Sequence, residues 1–150
     1  MIIQNERQYR ITKAHLAGFE GGLVANDARD PHDLPPDIDP GMPKLMHDAI
    51  ASEIEELRHQ LDHYQKLRDG RITSREITSL HELPTALIEA RIAARLTQRQ
   101  LAKRIGVADQ QIQRWEANDY SGVSVHRLQE IADALGVQMH WAITVRRGST

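Results

Sequence analysis

Cysteine is absent from the 150 residues. That excludes a disulfide framework, a thiolate zinc site, an iron–sulfur cluster and a thiol nucleophile, and it suits a reducing compartment. Aromatic residues make up only 4%, so the core must be built from Leu, Ile, Val and Ala. No apolar run approaches the roughly 18 residues of a membrane span. The first ten residues, MIIQNERQYR, lack the charged-then-apolar order of a signal peptide, so a cytoplasmic location is expected. A glycine-rich phosphate loop, a nucleophile elbow and a HExxH motif are also missing, so neither catalytic residues nor a cofactor are expected. Proline is scarce outside one stretch. Five of the six prolines fall in residues 26–43, NDARDPHDLPPDIDPGMP, beside five aspartates. Repeated proline disfavours helix, and carboxylates on such a loop are not held rigidly enough for paired acid–base work.

What is present is globular: 40% hydrophobic and 27% charged. The net charge of −2 conceals a division. Residues 1–83 carry 10 Lys and Arg against 15 Asp and Glu, whereas residues 84–150 carry 9 against 6. An acidic N-terminal region joined to a basic C-terminal one suggests a different partner for each.

Along the chain, residues 2–12 read as a short strand or arm. Residues 13–25 have near-helical spacing weakened by Gly18, Gly21 and Gly22. Residues 44–69 are the clearest helix. Ile50, Ile54, Leu57, Leu61 and Tyr64 follow the alternating spacing of a heptad seam, with charged residues on the other faces. Such a seam pairs with a second copy or packs on its own chain, and either would use these residues. His59 and His63, with Glu56, have a spacing that can bind zinc, but a third ligand is missing and a solvated face is the better reading. No metal site is expected.

From Ser79 the pattern changes to short helices. Ser79 with Glu82, and Thr97 with Gln100, form capping boxes. Gly106 stops the second helix after about two turns, and a third contains Gln111, Ile112 and Trp115. A fourth, VHRLQEIADAL, ends at Gly136. The tail, VQMHWAITVRR, alternates and predicts a strand over about 138–146. The domains expected are 1–43 with its loop, the heptad helix 44–70 for dimerisation or partner binding, a helical module 79–137, and a strand and tail 138–150.

Short helix, glycine turn, short helix is the format of a helix-turn-helix. On the second of those helices Asp109, Gln110, Gln111, Gln113 and Arg114 remain for solvent. Gln and Arg make paired hydrogen bonds to adenine and guanine edges in the major groove. At the start of the preceding helix, Gln98 and Arg99 lie where free N–H groups favour phosphate.

The stretch from Thr97 to Val107, followed by Ile112-Gln113-Arg114-Trp115-Glu116 and by Leu128-x-x-Ile131-Ala132-x-Ala134-Leu135-Gly136-Val137, resembles the phage-repressor/Cro-type (XRE) helix-turn-helix family over about residues 80–137. The resemblance implies a mostly α fold: a C-terminal four-helix bundle with a terminal strand, behind a coiled-coil-like N-terminal region. It implies a repressor that binds a palindromic DNA operator as a dimer and is associated with the nucleoid. Base reading falls to Asp109, Gln110, Gln111 and Arg114. Backbone contact falls to Thr97, Gln98, Arg99, Gln113, Asn118 and Tyr120, with Gln98 also bracing the next glutamine. Trp115 and Glu116 take packing roles. Ala108 stands where the family usually has Ser or Thr as a cap, and Asp109 can take over by moving the boundary one residue. Pairing of two copies would use the heptad seam or the tail, through Trp141 and Ile143. An XRE module beside an acidic segment also resembles the HigA-like antitoxins, which repress their own operon and cover a small basic toxin. A regulator without a toxin, and an interaction module that no longer binds DNA, are the alternatives.

Overall fold

Asn5 starts the first helix. In the computed structural model, which describes residues 2–148, its side chain accepts from the Gln8 amide at 2.9 Å, while the Gln8 side chain accepts from the Gln4 amide at 2.7 Å. Two otherwise unsatisfied donors are thereby paired. Helix α1 then runs Glu6–Asp27. The expected strand or arm over 2–12 is not formed. The cap sets the backbone helical at Glu6, and the β-forming side chains of the segment follow it. Gly18, Gly21 and Gly22 lie inside the helix without interrupting it.

After a loop with a 3-10 turn at Pro31–Asp33, helix α2 runs Met42–Arg68, with Pro43 in its first turn. Two contacts close the loop: Asn26 Nδ2 donates to the Pro43 carbonyl at 3.0 Å, and His47 Nδ1 lies 2.8 Å from Asp27 Oδ1. At the far end Gly70, at φ +73°, closes α2, where Gly70 and Arg71 donate to Leu67 and Lys66. The hairpin is antiparallel. Glu6 pairs with Arg68 at 2.9 Å, Glu20 with Arg58 at 3.0 Å, and Asp27 with His47. The rings of Tyr9 and Tyr64 stack 5.2 Å apart, and the Arg68 guanidinium covers both. The heptad seam therefore packs on its own chain: Ile54, Leu57, Leu61 and Tyr64 are buried, and Leu67 extends the row.

Residues 1–76 form one unit and residues 77–150 a second. The second opens with the Ser79–Glu82 capping box on a 3-10 turn, then α3 (Leu83–Ala93), α4 (Gln98–Ile105), α5 (Asp109–Ala117) and α6 (Val125–Ala134). Leu87, Ile88, Leu101, Ile112 and Ile131 are fully buried at its centre, with Ala102 and Ala132 beside them. The small side chains fit the close approach of α4 to its neighbours. The fold is mostly α, as expected. The expected terminal strand is not confirmed: no strand is present among the described residues, and 138–148 carry no regular structure. A strand needs a neighbouring edge, and no extended segment among the described residues pairs with this one. Residues 149 and 150 of the expected tail lie outside the described residues.

Candidate nucleic-acid interface

Thr97 and Gln100 set the entry to α4. The Thr97 hydroxyl accepts from the Gln100 amide at 3.1 Å, and Gln100 returns the contact to the Thr97 amide at 2.9 Å. Gly106, at φ +74°, ends the helix, and the Val107 amide donates back to Ala102. Only Gly106, Val107 and Ala108 separate α4 from α5. Ala108 is the residue before α5 and offers no side-chain cap; Asp109 is already helical. The expected one-residue shift of the boundary onto Asp109 does not occur.

Ile112 is wholly buried, which fixes the rotation of α5. With that face inward, Gln110, Gln113 and Arg114 are exposed at i, i+3 and i+4, a single stripe along the helix. Asp109 and Gln111 flank it, partly exposed. Thr97, Arg99 and Asn118 are exposed as well, Asn118 as the last cap of α5. Arg99 Nε lies 3.4 Å from Asp109 Oδ2, a link between the first turns of α4 and α5.

Beneath this surface lies a buried ion pair. Arg91 of α3 donates from Nε to Glu116 Oε1 at 2.6 Å and from Nη2 to Glu116 Oε2 at 2.9 Å, and its Nη1 donates to the Leu96 carbonyl at 2.8 Å. Both side chains are nearly or wholly buried, 3% and 0% exposed. Gln98 Nε2 donates to Glu116 Oε2 at 2.7 Å. Gln98, expected to brace the next glutamine, donates to this carboxylate. The pair ties α3 to the end of α5 and to the first residue of α4. Arg91 had not been singled out in the sequence. Its signal is a cation at core spacing among Leu87, Ile88 and Ile92.

Tyr120 was expected beside phosphate, and this is corrected. It is 4% exposed and its hydroxyl is buried. Asp119 and Tyr120 adopt positive φ, +49° and +53°, in the turn after α5. Burial, with the Glu116 carboxylate adding to it, pushes the phenol well above its ordinary pKa and keeps it neutral. Trp115 is half-buried beneath the Arg127 guanidinium, 5.9 Å from its ring centre. Of the residues expected to pair two copies, Ile54, Leu57, Leu61 and Tyr64 are covered by α1 and Ile50 is partly covered, whereas Trp141 and Ile143 are exposed.

Among the described residues, no group of three or more His, Asp or Glu is placed to hold a metal ion, and no helix is long and apolar enough to cross a membrane. Residues 87–141, over a third of the chain, match the family model described as helix-turn-helix. Neither the curated proteins nor the solved structures yielded a match. Two short helices about a glycine turn, the second with an exposed Gln/Arg stripe, together with that match, make the C-terminal unit a helix-turn-helix module of the phage-repressor/Cro type, the DNA-binding part of a transcription regulator.

Proposed function

We propose that the protein is a sequence-specific repressor that binds a palindromic duplex operator as a dimer, and that it is the antitoxin of a pair whose operon it represses. The observation that carries DNA reading is the stripe Gln110, Gln113 and Arg114, presented on a nine-residue helix whose other side is fixed by Ile112 and Glu116. In this reading Gln110, Gln111 and Arg114 contact base edges. Thr97, Gln98, Gln113 and Asn118 lie along the sugar–phosphate backbone. One such module buries too little surface for a tight complex, so two copies engage half-sites about one helical turn apart. With the heptad row covered by α1, the exposed tail supplies the pairing surface: Trp141 and Ile143 of two copies lie edge to edge, completing a strand that one chain cannot form.

The N-terminal hairpin supports the antitoxin reading. The acidic residues of the loop after α1 suit a small basic toxin. The test is a gel shift and footprint on duplex DNA from upstream of the protein's own coding region, with and without the product of the adjacent gene. Protection of two symmetric half-sites, and growth rescue by co-expression with a toxic neighbour, are the expected results. Protection without a toxic neighbour leaves a plain regulator. No retention of any duplex at low salt ends the DNA-binding reading.

A further inference from the structure

We propose that Arg99 is a base-reading residue that selects a guanine, and that Asp109 is its positioning residue rather than a reader itself. The inference rests on the DNA-binding reading above and assigns two residues within it.

Arg99 is the second residue of α4 and Asp109 the first of α5, so the glycine turn brings the two helix starts together. The Arg99 side chain is 84% exposed and that of Asp109 48% exposed. Each is therefore available to a partner outside the chain. The contact is made at Nε, 3.4 Å from Asp109 Oδ2. A guanidinium has five donors in a planar fork. A carboxylate held against Nε leaves the Nη1 and Nη2 end free. That end matches the two acceptors, O6 and N7, that guanine presents in the major groove.

The alternatives fit less well. A carboxylate at the leading tip of a groove-reading helix repels phosphate and lowers affinity for every sequence. If Arg99 merely touched phosphate, Asp109 would weaken that contact. If Asp109 accepted directly from a cytosine amino group, it would have to release Arg99. With the pair intact, the carboxylate neutralises its own penalty and restricts a long, flexible side chain to one direction, which lowers the ordering cost of a specific contact. Asp109 has a second, separable effect. It places negative charge at a helix start that Ala108 leaves without a side-chain cap.

The experiment uses the full chain. Wild type, Arg99→Ala and Asp109→Asn are each put through selection from a random duplex library. Affinities are then measured on the winning site, on its single-base variants and on unrelated duplex across a salt series. Both residues are exposed, and circular dichroism checks that each variant is folded. The wild type is expected to enrich a motif with one guanine that Arg99→Ala no longer prefers, at a loss of about 5- to 150-fold on that site. The rest of the motif persists. Asp109→Asn weakens the same guanine preference in part and raises affinity for unrelated duplex. The assignment is overturned if Arg99→Ala keeps the guanine, loses affinity equally on all sequences and flattens the salt slope by about one, the signature of a phosphate contact. It is also overturned if Asp109→Asn lowers thermal stability and leaves base preference unchanged. A wild type that enriches no motif sinks the DNA-binding reading itself, a distinct result.

Discussion

Glu116 has no exposed surface and three hydrogen bonds to its carboxylate, two from Arg91 and one from Gln98. Removing one partner of a buried ion pair strands the other's charge. Glu116→Ala is therefore expected to cost about 3–5 kcal/mol of stability by urea denaturation. Replacing Arg91 and Glu116 together with apolar side chains of similar volume should cost much less. A small loss in Glu116→Ala would mean that Arg91 finds other partners. On the surface above, Arg114→Ala and Gln110→Ala are each expected to weaken binding to the specific site by about 1–3 kcal/mol while the melting temperature stays put. Equal losses on unrelated duplex would show that they do not read bases. A packing role for Glu116 was legible only through the resemblance of its stretch to the helix-turn-helix family. Arg91 was not, because a single arginine in an apolar helix has no signature until its carboxylate partner is found 25 residues away. Tyr120 was misplaced for a related reason: the family resemblance implied phosphate, and the left-handed backbone at Asp119 and Tyr120 was not legible.

At the scale of elements, α5 begins without a cap. Ala108 holds extended backbone, φ −68° and ψ 146°, the conformation in which a serine hydroxyl reaches the next turn's amides. Ala108→Ser is expected to stabilise the protein by about 1 kcal/mol, read as a higher melting temperature. No change would mean that Asp109 already satisfies the helix start through its charge. In the hairpin, the contact between His47 and Asp27 ties the end of α1 to the start of α2. The hydrogen bond to Asp27, then the charge of Asp27, raises the His47 pKa above 6.5. The folded state favours the protonated ring. Its stabilising contribution is thus complete below the unfolded value and is lost as pH rises through the raised folded value. Titration of His47 by NMR between about pH 5 and 8 should show the raised midpoint, and Asp27→Asn should return it towards the ordinary imidazole value. The strongly periodic α2 was readable from its sequence, but α1 was not. Its three glycines and early β-forming residues argue locally against a helix, and the Asn5 cap and the packing of Tyr9 on Tyr64 override them. Whether the α2 seam met its own chain or another was a non-local question that periodicity cannot answer.

Over the whole molecule, the chain passes from one compact unit to the other through the segment 70–78, most of which is exposed and carries Arg71 and Arg75. Brief trypsin treatment is expected to cut there first and release two protected fragments, identified by mass. Simultaneous loss of both halves would argue against separate units. The tail's alternation was legible, but alternation alone does not make a strand where no neighbouring edge is present among the described residues. The two tryptophans, Trp115 and Trp141, both belong to the C-terminal unit, while the hairpin has only tyrosines among its aromatic hydroxyl and indole groups. Indole emission thus follows one half of the protein and is blind to the other, whereas far-ultraviolet dichroism draws on the long helices of both. Superposing the two denaturation curves would measure, without any label or truncation, how far the halves melt as one.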